Sequence, residues 1–510
     1  MSEIAHGNHY DVIIIGSGLG GLTAGALLAK SGKKAIVIER HDRVGGYAQS
    51  FKRHGFHFDS SIHFTGGGHP VESSRYGAIL KTLELLGVED RCTFPKLDPF
   101  IRLITPNFTF NAPLGNEAFI QALSARYPGN RQRISEFTAL ANKVNLELRH
   151  MPLKSSWWDT IVMPFRFPGI FKYHSFTLTQ MLDRFFRDEE IKTVFGTFSL
   201  CFAMPPSSVS FLQWTQLYVS MICEEASYCS GTFQHLADVL SEAVRKYNGS
   251  ILKKSEVLKI VTSGNKVDGV VLSSGERITA PAIISNADMI STYRNLLDPS
   301  FQSHPFVKHI GTLTPSMSAF IVYIGTDLPV TDPSITHETV ILDSLNVDDC
   351  VTSPDVTLPR HLIISIPTLS DSSLAPTGNH AVILTAMIPY RENFSGKDKE
   401  RLADMLIGKA CVLLPGLDKH IIFREAATPS TLERYTKNYR GAIIGWEAKK
   451  DQVGQKRPPF SSPVLKGLYH VGHWTKPGGG VYGAMVSGRQ VAQLLCGYRH
   501  AEDFVNALQE

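Results

Sequence analysis

The sequence predicts an α/β protein in which a discontinuous, Rossmann-like nucleotide-binding domain is interrupted by an inserted α+β domain. Three observations carry this. A strand, a G-x-G-x-x-G turn, a helix, a second strand and an acidic residue follow one another between Asp11 and Glu39. A helix followed by a meander of short strands lies between residues 226 and 295. A strand, a Gly/Pro-rich turn and a helix close the chain beyond residue 456.

In the first unit, Asp11-Val12-Ile13-Ile14-Ile15 is a β-branched apolar run of the kind that forms a buried parallel strand. Gly16-Ser17-Gly18-Leu19-Gly20-Gly21 follows at once, and the spacing predicts a helix over 22–30, capped at Gly32. Ala35-Ile36-Val37-Ile38 is the second strand and ends at Glu39. Gly16 permits the tight turn, Gly18 lets backbone approach a pyrophosphate, and Gly21 lets helix and strand pack closely. With Gly20 they are the expected cofactor contacts. The pyrophosphate would meet unpaired N–H groups and the positive end of the helix dipole. A carboxylate at Glu39 accepts hydrogen bonds from ribose hydroxyls and repels a 2′-phosphate, so FAD or NAD is expected rather than NADP. A second pair, Gly45-Gly46, follows Glu39-Arg40 and brings another stretch of backbone towards the phosphates. A dinucleotide held by both stretches would run deep into the protein, as FAD does.

The middle unit begins with an amphipathic pattern over 235–247, with Leu236, Leu240, Ala243, Val244 and Tyr247 on one face. Asn248-Gly249 ends it. Three short strands then turn at Ser263-Gly264-Asn265 and Ser274-Gly275 before Ala282-Ile283-Ile284-Ser285-Asn286-Ala287-Asp288. The third unit, Gly467 to Arg489, reads as a strand, a turn containing Pro477-Gly478-Gly479-Gly480, and a helix.

Together these segments resemble the FAD-dependent amine oxidase-like superfamily, and within it the branch containing phytoene desaturase, carotenoid isomerase and retinol saturase. Glu39-Arg40 to Gly45-Gly46 resembles that family's second FAD motif, and Gly55-Phe56-His57-Phe58-Asp59 to His63 resembles its G-F-x-F-D-x-G-x-H segment, with Ser61 standing where the family usually has glycine. The resemblance implies FAD contacts at Arg40, at the Val257 backbone and at Asn286. It also implies that Gly472, Gly479, Gly480, Val481 and Ala484 close over the flavin, with the last helix directing its dipole at the pyrimidine end. His63 lies in a segment passing near the flavin and is the one candidate catalytic residue.

The implied partition is 1–100, 226–295 and 456–510 for the FAD-binding domain, and 101–225 and 296–455 for the substrate domain. The first insertion holds an aromatic excess: residues 157–228 contain 16 of the 49 aromatics, opened by Trp157-Trp158. From Trp157 to Gln180 the only charges are Asp159, Arg166 and Lys172. Such a segment suits a core between helices, the wall of an apolar tunnel, or contact with a bilayer interface.

Composition excludes several classes. With 43% hydrophobic and 19% charged residues the chain is globular, and a net charge of +4 is too mild to imply nucleic acid. Seven cysteines without a C-x-x-C pair argue against a disulfide framework or zinc ribbon. His57, His63 and His69 are evenly spaced but have no acidic or sulfur partner in the pattern, so no metal is expected. The first residues lack a signal-peptide pattern, and no stretch is long and apolar enough to span a bilayer, so a cytoplasmic, possibly membrane-associated protein is expected. Walker and G-x-S-x-G motifs are absent, and His337-Glu338 lacks the second histidine of a zincin.

The function expected is an FAD-dependent oxidoreductase or isomerase acting on C–C bonds of an apolar polyene or isoprenoid by desaturation, saturation or cis–trans isomerisation. No second G-x-G-x-x-G unit follows, so electrons would pass to oxygen or a quinone, or arrive from a separate reductase. The alternatives are a flavin amine oxidase-like enzyme on a small substrate and a non-catalytic flavin- or lipid-binding protein.

Overall fold

The computed structural model describes residues 9–68, 78–151, 157–353, 355 and 358–509. His69 and the side chains of Trp157 and Trp158 lie outside the described residues. A parallel five-stranded sheet has the order Leu468–His470, Ala282–Ser285, Val12–Ile15, Ala35–Ile38, Ser250–Leu252. Its strands thus come from the beginning, the middle and the end of the chain. The two central β-branched runs are buried throughout, as a sheet covered on both faces requires.

The helix after the first strand spans Leu19–Lys30 and so begins three residues before the expected start. Gly20 and Gly21 are helical, despite the cost of glycine in a helix, because there is no room for side chains. A Cβ on Gly21 would lie 2.3 Å from the Gly16 carbonyl oxygen. The helix ends at Ser31, with Gly32 beyond it in the left-handed region (φ +84°). The middle helix spans Phe233–Lys246, two residues earlier than its apolar periodicity indicates. It packs on the first helix, where Gly25 faces Val37 and Val244. The meander forms an antiparallel sheet of Val257–Ser263, Lys266–Leu272 and Arg277–Thr279.

A second, seven-stranded sheet has the order Ile421–Ala427, Ser318–Thr326, His380–Ile388, His361–Ser365, Glu338–Leu342, Ile101–Ile104, Thr109–Ala112. It is antiparallel except between Glu338–Leu342 and Ile101–Ile104. Side chains alternate across it with the period of a strand. Phe320, Val322 and Ile324 point to one core that includes the helix Gly396–Ala410, while Ala319, Ile321 and Tyr323 point to the other face. The segment 116–223 is helical and joins the core on one face of the parallel sheet.

Packing crosses the expected domain limits. Phe56 and Phe58, from the first 100 residues, pack against Ala319 and Ile321 of the seven-stranded sheet. Ala442 and Trp446, from segment 296–455, pack with Ile13, Ile36 and Ile283 beneath the parallel sheet.

The aromatic excess divides three ways. Phe186, Phe195 and Trp214 form a buried cluster around Phe137, which precedes the aromatic-rich segment, with centroids 5.4, 4.9 and 5.3 Å from that of Phe137. Phe202 reaches the central cavity. Phe165 and Phe171 face outward, 87% and 54% exposed.

Candidate functional site

The first strand delivers Gly16 to the carboxyl edge of the parallel sheet, where the chain turns into the helix Leu19–Lys30. Gly18 caps that helix without a side chain, so the first-turn N–H groups face outward. The second glycine pair lies directly against this turn. The Gly45 N–H donates to the Ser17 carbonyl at 2.9 Å, and a Cβ on Gly46 would stand 3.2 Å from the Gly18 Cα. Gly45 and Gly46 hold φ of +121° and +59°, conformations that side chains disfavour. The pair therefore permits two stretches of backbone to meet each other at the edge of the same cavity.

Asn286, carried by the strand Ala282–Ser285, is wedged among these glycines. A Cβ on Gly18 would meet its Nδ2 at 2.6 Å, and one on Gly472 would meet its Oδ1 at 2.7 Å. Gly20 is similarly closed in by the Gly472 backbone and the Ala484 carbonyl. The closing helix spans Gly480–Leu495 and also has a glycine N-cap, Gly479. It crosses the first helix where a Cβ on Gly488 would stand 2.4 Å from the Gly20 carbonyl oxygen. Two helix N-termini, neither with an acidic residue in its first turn, therefore converge on one space.

That space is a cavity of about 740 Å³ lined by Gly16, Gly18, Gly20, Glu39, Arg40, Gly45, Gly46, Val257, Asn286, Gly472, Gly479, Gly480, Val481, Ala484 and His63. Gly21, expected as a cofactor contact, is the exception: it faces the Gly16 carbonyl and serves helix–strand packing. Two other residues do more than expected. Glu39 is buried and already accepts from the Ser17 N–H (2.9 Å), the Ser17 hydroxyl (2.5 Å) and the His41 N–H (2.8 Å). It holds the glycine turn, and a carboxylate's remaining lone-pair capacity is free for a ribose hydroxyl. Arg40 donates to the carbonyls of Arg434 (3.0 Å) and Tyr435, tying the end of the helix Pro429–Thr436 to the site.

Several residues at or near the site have roles that the motifs do not announce. Asp59 is buried and accepts from the Tyr228 hydroxyl (2.5 Å) and the Phe233 N–H (2.9 Å), so it joins the hairpin of residues 50–59 to the start of the helix Phe233–Lys246. Burial pushes its carboxyl up to about 7. Asp288 accepts from the Ser291 and Tyr439 N–H groups at 2.6 and 2.9 Å, and burial raises it to about 6. The Asn438 carbonyl oxygen bonds the Trp474 indole N–H (2.7 Å) and the His473 ring (3.0 Å), fixing His473 beside Gly472. Glu338 lines the cavity from within an otherwise apolar strand. An acid inside the run Glu338-Thr339-Val340-Ile341-Leu342 was a visible signal, because such runs normally exclude charge.

His63 is buried, and neither ring nitrogen has a partner. Burial, reinforced by nearby His337, pushes it down to about 3, so it is a neutral imidazole at physiological pH. Among the described residues, no group of three His, Cys, Asp or Glu side chains is placed to hold a metal ion.

The cavity fits an elongated dinucleotide. Glu39 and Val257 line it where they would flank an adenosine, bare helix N-termini suit a pyrophosphate, and the glycine-lined segment 472–484 would admit a flat ring. A Rossmann-type sheet with this double glycine cradle defines a flavoprotein oxidoreductase. The chain belongs to the flavin containing amine oxidoreductase family, whose sequence model matches residues 19–496, and its cofactor is FAD. It is 28% identical to a chloroplastic prolycopene isomerase 2 from an Oncidium hybrid cultivar, over 98% of this chain and 85% of that protein. It is 25% identical to an all-trans-retinol 13,14-reductase from Macaca fascicularis, over 85% of this chain and 77% of that protein. Its fold matches the crystal structure of an oxidoreductase from Methanosarcina mazei with a TM-score of 0.63 and 17% identity, covering 95% of this chain and all of that one.

Proposed function

We propose that this FAD-dependent oxidoreductase acts on C–C bonds of an apolar polyene or isoprenoid, by desaturation, saturation or cis–trans isomerisation. One observation carries the reading: besides the glycine cradle, the cavity is lined by apolar side chains from two further parts of the fold. Ile321, Val340, Ile363 and Met387 contribute from one face of the seven-stranded sheet, and Leu200 and Leu217 from the helical segment opposite. An elongated hydrocarbon loses water contact against these side chains. The two relatives named above, an isomerase of prolycopene and a reductase of retinol, point the same way.

Bound FAD supplies hydride acceptance and donation. The chain's own residues bind, orient and shield. The helix Gly480–Leu495 directs its positive end at the cavity, where it favours negative charge on a bound group. Asn286 and the glycines around it fix the backbone against which a ring would lie. The apolar walls exclude water and hold a chain in one orientation.

Electrons exchange with a separate partner, namely oxygen, a quinone or a reductase, because the sequence has a single nucleotide motif. Substrate arrives from a membrane surface, and the outward Phe165 and Phe171 with the exposed Arg166 and Lys172 support this. No helix among the described residues is long and apolar enough to cross a membrane. The reading is tested by titrating the FAD-loaded protein with polyenes and with small amines while following the visible absorption of bound flavin. Polyenes are expected to perturb that spectrum. A response to amines alone would overturn the proposal.

A further inference from the structure

The cavity-facing side of the seven-stranded sheet carries a register row in which Val340 pairs with Ile363, Ile363 with Thr385 and Thr385 with Ile321, apolar except for Thr385, whose buried hydroxyl has no partner. Two residues further along its strand, Glu338 faces the same cavity. It is 1% exposed, and its Oε1 has no hydrogen-bond partner. Among the described residues no lysine or arginine pairs with it. The nearest basic group is the His337 ring, whose Nε2 lies 3.8 Å from Oε1 and is already engaged with the His63 carbonyl at 3.0 Å. That bond brings the segment containing His63 against the strand of Glu338. His63 is 8% exposed and also lines the cavity, with both ring nitrogens unpartnered.

A plain hydrocarbon in this cavity offers neither group a partner. An unmet polar atom in a desolvated site costs far more than a made hydrogen bond contributes, so an apolar ligand alone does not account for two such groups. Burial pushes the Glu338 carboxyl up to about 8, against the opposing effect of the neighbouring Ser365 hydroxyl. It also holds His63 and His337 down to about 3 and 4. At neutral pH the carboxyl is thus largely protonated and the imidazoles are neutral. Glu338 offers an O–H donor and His63 offers ring nitrogens that donate or accept, while both nitrogens of His337 are already engaged with Ser370 and the His63 carbonyl; such groups complement an alcohol or carbonyl oxygen.

We propose that Glu338 and His63 form a hydrogen-bonding station in the apolar cavity that receives an oxygen function of the substrate, so that the preferred substrate is a polyene bearing a hydroxyl or carbonyl group rather than a pure hydrocarbon. This rests on the polyene reading above and narrows it. The two residues are binding groups, and neither is required to transfer a proton.

The test uses FAD-loaded protein in detergent micelles and two polyenes of equal length, one a hydrocarbon and one carrying a terminal hydroxyl or aldehyde. Affinity is read from quenching of flavin fluorescence, and the ratio of affinities is compared among wild type, Glu338→Met and His63→Leu. Differences in micelle partitioning cancel in that comparison. The wild type is expected to favour the oxygenated polyene by roughly tenfold or more relative to either variant. A wild type that binds both polyenes equally would overturn the proposal and assign the station to bound water. Flavin-retaining variants that keep the full wild-type preference would overturn it too. If one variant loses flavin, the comparison of wild type with the other variant decides. Binding of neither polyene would refute the polyene reading itself, and with it this inference.

Discussion

Asp59 carries structural weight that its place in a motif does not announce. The Tyr228 hydroxyl and the Phe233 N–H both converge on it, and burial lifts its carboxyl to about 7 from an ordinary value near 3.8. The sign follows from which state holds the proton. Below about pH 4 both the folded and unfolded chains are protonated there. Between about pH 4 and 7 the folded chain retains a proton that the unfolded chain has released, so this group's contribution to stability falls as pH rises. Asp59→Asn removes that dependence. The melting temperature of the variant relative to wild type is expected to rise between pH 5 and pH 7, following a slope of at most about 1.4 kcal/mol per pH unit. A difference that stays flat with pH would show that Asp59 is ionised in the fold. Asp59→Ala instead leaves a buried hydroxyl and an amide unpaired, at about 1–3 kcal/mol for each. At Gly18, a Gly18→Val side chain meets Asn286 Nδ2 and obstructs the first-turn N–H groups. The purified variant is expected to lack the visible flavin spectrum, and full flavin occupancy would show that this turn is not the cofactor cradle.

Elements set the geometry that single residues decorate. The helices Leu19–Lys30 and Gly480–Leu495 bring their N-termini to one cavity because Gly20 and Gly488 let them cross at backbone distance. Gly488→Leu is expected to lower stability by about 1–3 kcal/mol, measured by urea unfolding, and to weaken flavin retention with it. Unchanged flavin affinity would show that the crossing does not position the cradle. On the outer surface, the short helices Trp157–Arg166 and Pro168–Tyr173 present Phe165 and Phe171 beside Arg166 and Lys172. The double variant Phe165→Ser, Phe171→Ser is expected to reduce co-flotation with anionic liposomes several-fold, and undiminished flotation would place membrane contact elsewhere.

The architecture of the nucleotide-binding part was legible because its signals are local. The β-branched strands, the glycine turns and Glu39 occupy fixed offsets along the chain, and they fold into adjacent elements as read. Helix starts were less legible. Glycine opposes helix formation locally, so the run at Gly20-Gly21 reads as turn until the packing around Gly16 is seen. What remained illegible depends on contacts between distant segments. Asn286 wedges between Gly18 and Gly472, and Arg40 reaches the carbonyl of Arg434. Glu338 and His63, 275 positions apart, come to line one cavity. No short pattern in the sequence contains such pairs. Arg40, Asn286 and His63 were each expected at the site singly, and Glu338 left a trace as the acid opening a largely apolar strand; their partners were not readable.

At the scale of the whole molecule, one flavin cradle assembled from both ends and the middle of the chain opens onto an apolar cavity walled by a separate sheet. The claim that this arrangement transforms a polyene is tested most directly by product mass. FAD-loaded protein and flavin-stripped protein are incubated with hydrocarbon and oxygenated polyenes in liposomes, and products are separated by chromatography and weighed by mass spectrometry. The loaded protein alone is expected to yield a product that has lost two hydrogens, gained two, or kept its mass with an altered retention time. No product from any polyene with the loaded protein, alongside turnover of a small amine, would contradict the account.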